Sequence, residues 1–300
     1  MKWLIFILVI IAIVLFIAFR LLIRSVNPER FTTIDSIENE KKQGTLKGYD
    51  ELIKRDYIVK SFDGYELHAT YIPNDSKKIV IITHGHTATK WSSVKYVMLF
   101  RKLGYGAVIY DNRGHGDNIR TYMTLGLKES KDLIAVIEDT KKKLGNDLFI
   151  GLHGESMGSA INNMALKYKP KIKFLISDCG YADFMKMGKA YARSEYRLFG
   201  GIVNISNWMC KLHYKFDLSD VKPIDFISDN EIPICFIHGD QDTLINKINA
   251  ETMFKENLGY KEIHIFEGAK HAESYLKDPD KYYEIVNDFV KKVEKNNREY

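Results

Sequence analysis

The chain has 300 residues, 45% hydrophobic and 28% charged, a composition that excludes a disordered or fibrous protein. Its net charge of +5 is a small excess spread over a lysine-rich sequence, too diffuse to mark a nucleic-acid binder. Three widely spaced cysteines, Cys179, Cys210 and Cys235, exclude a disulfide framework and a C-x-x-C metal site.

The chain begins with WLIFILVIIAIVLFIAF, 17 apolar residues over 3–19, and the run resumes after Arg20 with Leu21, Leu22 and Ile23. As a helix, ~20 such residues rise ~30 Å, one hydrocarbon core, so residues 1–24 are predicted to be a single-pass transmembrane anchor. Arg20 stands near the end, where its guanidinium reaches the interface. A cleaved signal peptide is the competing reading. Against it, the run exceeds the usual ~7–15 residues and no A-x-A-like site follows. Arg20, Arg24, Arg30, Lys41 and Lys42 follow the span and only Lys2 precedes it, which favours a cytoplasmic domain. An uncleaved signal anchor would instead export the domain. Residues 25–50 are polar and charged and are expected to form a juxtamembrane connector with a helical turn or two.

From there to residue 298 the pattern is that of one α/β domain. Residues 57–61 and 67–72 flank the turn pair Asp63-Gly64 and predict a hairpin. Short apolar runs then recur at 79–83, 107–110, 148–152, 173–177, 234–237 and 262–266. Continuous β-branched runs suit parallel strands buried on both faces. Between them, 125–144, 156–168, 247–258 and 279–295 carry helical periodicity. The alternation predicts a mostly parallel sheet, eight-stranded with the hairpin, and helices on both faces. One connection, from Asp178 to Pro233, is too long for a simple crossover and is rich in Tyr, Phe, Met and Trp. A helical cap over about 181–228 is expected there, above a substrate site.

Gly154-Glu155-Ser156-Met157-Gly158 is G-x-S-x-G between an apolar strand and a helix. Small residues on each side allow a turn that lifts the Ser156 hydroxyl clear of the sheet. A serine hydroxyl needs a general base, and the base needs an orienting carboxylate, in the chain order Ser, acid, His. Downstream, Asp240 and Asp242 share the loop after one strand, and His271 lies in the loop after the last. His264 falls within a strand and His213 within the cap. The backbone N–H of Met157, after the nucleophile, is one expected oxyanion donor. The loop Thr83-His84-Gly85-His86-Thr87 supplies the other through the His86 N–H. No His, Cys or Glu cluster completes a ligand set around His84 and His86, so no metal is expected. Tyr110-Asp111-Asn112-Arg113-Gly114-His115-Gly116 reads as a structural turn in which Arg113 holds carboxylates or carbonyls.

With HGH at 84–86, YDNRGHG at 110–116, GESMG at 154–158, HGDQD at 238–242 and KH at 270–271, the chain resembles the α/β-hydrolase superfamily over about residues 50–295. It is most similar to a membrane-anchored bacterial branch related to serine aminopeptidase-like and prolyl-oligopeptidase-like hydrolases. The resemblance implies a Ser156, Asp242, His271 triad, with Asp242 rather than Asp240 as the acid through the near match Gly239-x-x-Asp242-x-x-Ile245. It implies oxyanion donors at His86 and Met157, no cofactor, and a small-molecule ester or amide substrate. The aromatic and Met-rich cap favours an ester with an apolar acyl group. The alternatives are a peptidase or aminopeptidase, for which Asp183, Glu195, Asp217 and Asp220 offer carboxylates, and a binding protein that keeps the fold without turnover.

Overall fold

Strand β3 (Lys78–Thr83) shows how the domain is put together. Ile79 and Ile81 enter one hydrophobic cluster, and Val80 and Ile82 enter the other. A continuous apolar strand alternates its side chains between two faces, so it must be covered on both. The computed structural model describes residues 1–228 and 230–297; residue 298, the expected end of the domain, lies outside the described residues.

The other strands are β1 (Arg55–Lys60), β2 (Glu66–Ile72), β4 (Gly106–Tyr110), β5 (Phe149–Glu155), β6 (Phe174–Asp178), β7 (Ile234–Gly239) and β8 (Lys261–Phe266). They form one sheet in the order β1-β2-β4-β3-β5-β6-β7-β8. β2 runs antiparallel to β1 and β4, and the remaining neighbours are parallel. The helices, in chain order, begin with α1 (Lys2–Val26), α2 (Thr33–Gln43), α3 (Val94–Lys102), α4 (Glu129–Leu144) and α5 (Met157–Ala165). After them come α6 (Phe184–Ser194), α7 (Ile202–His213), α8 (Ile248–Glu256), α9 (Ser274–Lys277) and α10 (Pro279–Asn296). One face of the sheet is covered by α4, α5 and α8, the other by α3 and α10. The long connection from β6 to β7 holds α6 and α7.

Helices α3 and α4 depart from the sequence expectation. No helix was expected where α3 lies, because the segment is apolar around most of its circumference and buries Val94, Tyr96, Val97, Leu99 and Phe100. Its polar side, Lys95, Arg101 and Lys102, is confined to nine residues, too few turns for the 3.6-residue period to stand out. α4 begins at Glu129 rather than Leu125. Leu125 and Gly126 both have positive φ, and the Glu129 carboxylate accepts from the N–H groups of Thr124 and Gly126 at 2.8 and 2.9 Å.

The largest correction concerns residues 25–50. The expected turn or two is an eleven-residue helix, α2, started by a capping box. Thr32 Oγ1 accepts from the Asp35 N–H at 3.1 Å, and Asp35 accepts from the Thr32 N–H at 3.0 Å. Nor does the segment hang free. Phe31 N–H donates to the Thr87 carbonyl at 3.0 Å, and Tyr49 packs edge-on against Trp91.

α1 is one helix with two environments. Its first four turns are apolar and exposed, and the helix is long and apolar enough to cross a membrane. Ala18, Leu22 and Val26, spaced four apart on one face, are fully buried. They join the same hydrophobic cluster as the cap, and α1 packs on α7. The Ser206 hydroxyl of α7 donates to the Ala18 carbonyl at 2.8 Å. The helix therefore runs past the expected boundary at residue 24, and its last turns belong to the core of the domain.

Candidate active site

Ser156 sits between β5 and α5 with φ 58° and ψ −120°, a region that a residue with a side chain rarely occupies. Such a conformation costs of order 1–3 kcal/mol and persists only where the surroundings impose it. Two glycines permit it. A Cβ on Gly154 would collide with the backbone of Gly158, and one on Gly158 with the Thr83 carbonyl of β3. The elbow is also pinned by its own amide, which donates to the Asp178 carbonyl of β6 at 2.8 Å.

The loops after β7 and β8 bring the other two side chains to it. Ser156 Oγ lies 2.8 Å from His271 Nε2, and His271 Nδ1 lies 2.7 Å from Asp242 Oδ2. Asp242 is the residue in reach and Asp240 is not. The Asp240 carboxylate instead accepts from the Gly268 N–H at 2.7 Å and ties the two loops together. Asp242 Oδ1 accepts from the N–H groups of Leu244 and Ile245 at 3.0 and 2.8 Å. Its Oδ2 also faces His238 Nε2 at 3.3 Å, a ring nitrogen that donates to the Ile245 carbonyl at 2.6 Å. Burial opposes ionisation of Asp242. The hydrogen bonds from His238, His271 and Ile245 outweigh it and hold the pKa down at about 2. His264 pairs with Glu262 and His213 packs on Tyr214, so neither takes part.

The loop after β3 closes the third side. Gly85 lies against Ser156, with room for no more than a tight methyl: a Cβ there would stand 3.3 Å from Ser156 Cβ. His86, Thr87, Ser156 and Met157 line one cavity. Met157 is the first residue of α5, so its N–H has no partner within the helix. The His84 ring is occupied by the backbone: Asn112 N–H donates to Nε2 at 2.8 Å. The His86 ring donates from Nε2 to the Ser25 carbonyl at 2.9 Å, and burial holds its pKa below the usual value. Arg113 is structural, as expected. It forks onto Asp63 at 2.9 Å and grips Asp132 at 2.7 and 3.0 Å.

Behind the elbow lies a buried polar network that sequence reasoning missed. Glu155, the residue before the serine, pairs with Lys95 Nζ at 2.7 Å and accepts from the Tyr96 hydroxyl. Tyr282 donates to Asp178 at 2.9 Å. Complete burial, together with the nearby Glu155 charge, pushes the Asp178 pKa up to about 7. One signal was present. A glutamate inside a buried turn requires a cationic partner, and Lys95 supplies it.

The cavity that contains Ser156 has a volume of about 930 Å³. The cap contributes Tyr181, Phe184 and Met187 to its wall, and α1 contributes Ile17 and Leu21. Arg20 and Arg24 reach it as well. Among the described residues, Glu29 is its one carboxylate. Nothing in the motifs pointed to a contribution from α1.

An eight-stranded, mostly parallel sheet with a serine elbow and a helical insertion is the α/β-hydrolase fold, and the protein is a hydrolase of that fold. Residues 74–231, which include the elbow and the cap, match the family described as serine aminopeptidase, S33. The chain belongs to that family. It is 31% identical over 265 residues to the uncharacterised protein YqkD of Bacillus subtilis (strain 168), covering 86% of this chain and 87% of YqkD. The esterase Pf2001 of Pyrococcus furiosus has a similar structure, with TM-score 0.66 and 21% identity over 85% of this chain and 93% of the esterase. An acylaminoacyl peptidase of Pyrococcus horikoshii is similar with TM-score 0.61 and 20% identity, over 80% of this chain and 41% of the peptidase.

Proposed function

We propose that the protein is a serine hydrolase that cleaves a carboxylic ester with an apolar acyl group, and that α1 retains it on a membrane. The observation that carries this reading is the Ser156, His271, Asp242 chain, at 2.8 and 2.7 Å, inside a cavity walled by apolar side chains. Ser156 Oγ attacks the acyl carbonyl while His271 Nε2 takes its proton. The Asp242 carboxylate steadies the imidazolium through Nδ1. The N–H groups of His86 and Met157 receive the oxyanion. His271 then returns the proton to the leaving alcohol, and a water repeats the sequence on the acyl-enzyme.

The peptidase reading rests on the family's description and on the acylaminoacyl peptidase neighbour. An aminopeptidase site requires a carboxylate facing the substrate ammonium. Asp183 instead caps α6 through the Lys186 N–H at 2.9 Å, and Asp217 pairs with Lys211. Glu195 and Asp220 are exposed, and none of the four lines the cavity. Among the described residues the cavity's one carboxylate, Glu29, shares the wall with Arg20 and Arg24, and two arginines are unfavourable for an ammonium group.

Retention of α1 is supported by Ala18, Leu22 and Val26, whose removal would uncover the core against α7. The charge asymmetry favours the cytoplasmic side. Fluorophosphonate labelling of the full chain, with Ser156→Ala as control, is expected to give one adduct, on Ser156. Turnover of an ester series is then compared with aminoacyl amides. Faster cleavage of the amides would reverse the assignment, and protease digestion of sealed vesicles checks the side.

A further inference from the structure

The wall that α1 gives to the cavity is continuous with the apolar rod that precedes it. Phe16 and Ile17, at the far end of the cavity, lie inside the unbroken apolar run 3–19. Ser25, at the near end, accepts from the His86 ring beside the oxyanion loop. At 1.5 Å per residue, the helix between Ser25 and Phe16 spans roughly 13 Å, from the chemistry to the level of the hydrocarbon. Phe16, Ile17, Leu21 and Ser25 of α1 line the cavity along this length, together with Phe184 and Met187 of α6. Arg20 and Arg24 line it where the apolar run ends, the depth at which lipid headgroups lie. The cap beside α1 also exposes Phe199, Trp208 and Leu212, large apolar side chains suited to the interfacial layer.

We propose that the site takes its substrate directly from the bilayer: a lipid ester whose acyl chain lies between α1 and the cap, with its carbonyl at Ser156 and its headgroup on the Arg24 side, at the end of α1 nearest the chemistry. This rests on the reading of Ser156 as nucleophile and of α1 as a retained anchor. The membrane helix is then half of the acyl pocket as well as a tether. Substrate passes from leaflet to site without crossing water, so the acyl chain is not exposed to solvent on the way.

The test uses the full chain in nanodiscs, with a long-chain monoacyl glycerol ester as lipid probe and an acetyl ester as soluble probe. Leu21→Trp fills the cavity from the α1 side and is expected to lower the long-over-acetyl ratio of kcat/KM about tenfold or more. Leu21→Ala widens it and should move the ratio the other way for a bulkier, branched acyl chain. The lipid probe should be hydrolysed faster in the enzyme's own disc than in separate discs. Ratios unchanged in both variants, or equal rates in shared and separate discs, overturn the proposal while Ser156 labelling stands. Loss of labelling and of acetyl ester turnover in the wild type would instead overturn the reading beneath it.

Discussion

The two sides of the cavity are built on different principles. On the sheet side Ser156 and Asp242 are held by several directed bonds. Asp242 accepts from two backbone N–H groups and faces two imidazoles, and the Ser156 amide is tied to β6. On the side of α1 and the cap the contacts are mostly apolar, with a few polar ties such as Ser206 to Ala18 and Arg24 to Tyr196 at 2.8 Å each. Acyl transfer requires atoms fixed to a fraction of an ångström, which only directional bonds supply. Holding an acyl chain requires volume and apolarity, which many side-chain combinations satisfy. Substitutions on the first side should therefore be severe and general, and on the second graded and dependent on the substrate.

The largest effect should come from Ser156→Ala, with at least about 10⁴-fold loss of kcat for every ester and no labelling. Ester turnover near the wild-type rate in this variant would break the comparison at its root. Asp242→Asn should cost about 10⁴-fold in kcat, because an amide cannot steady the imidazolium. The variant should stay folded, since an amide oxygen can still accept from Leu244 and Ile245, and circular dichroism with steady-state kinetics checks both points.

On the other side, Leu22→Ala removes a fully buried side chain between α1 and the cap and should cost about 2–5 kcal/mol in the docking of that helix. Thermal unfolding in detergent measures it, with unchanged acetyl ester turnover per folded molecule not required. Ser206→Ala should cost only about 1 kcal/mol, the usual worth of one hydrogen bond. A loss as large as that of Leu22→Ala would show that polar ties, not apolar contact, hold α1.

pH should act on stability through the network behind the elbow. Folded Asp178 has a pKa of about 7 against an ordinary 3.8, so between those values the folded protein binds a proton that the unfolded chain releases. This group's contribution to stability therefore falls as pH rises through that window. Asp178→Asn should flatten the slope, as read from urea midpoints across the same window. An unaltered slope would place the proton elsewhere in the cluster.

Much of this site was legible because its chemistry is local. The elbow needs two glycines around one serine within five residues, and Asp242 and His271 follow strand ends that their apolar runs announce. Asp242 and Asp240 could not be separated by such rules. They are two residues apart in one loop, and only the resemblance favoured the one that meets His271. α3 was missed because nine residues give the periodicity little room, and Lys95 on its polar side is itself buried. The extent of α2 was missed although its capping box and closing Gly44 were in the sequence.

Sequence alone determined the apolar rod, the strand-helix alternation and the G-x-S-x-G turn, since each depends on residues near one another in the chain. It also determined that a long aromatic and Met-rich connection would need a surface to cover. Which surface it covers was decided only by tertiary structure. Ala18, Leu22 and Val26 make a stripe of the kind any apolar helix offers, and α7 lies nearly two hundred residues away. Only when both elements meet over the carboxyl ends of the strands does the N-terminal helix become a wall of the cavity around Ser156. Apolar contact is non-directional, so it leaves no motif by which a distant partner can be read.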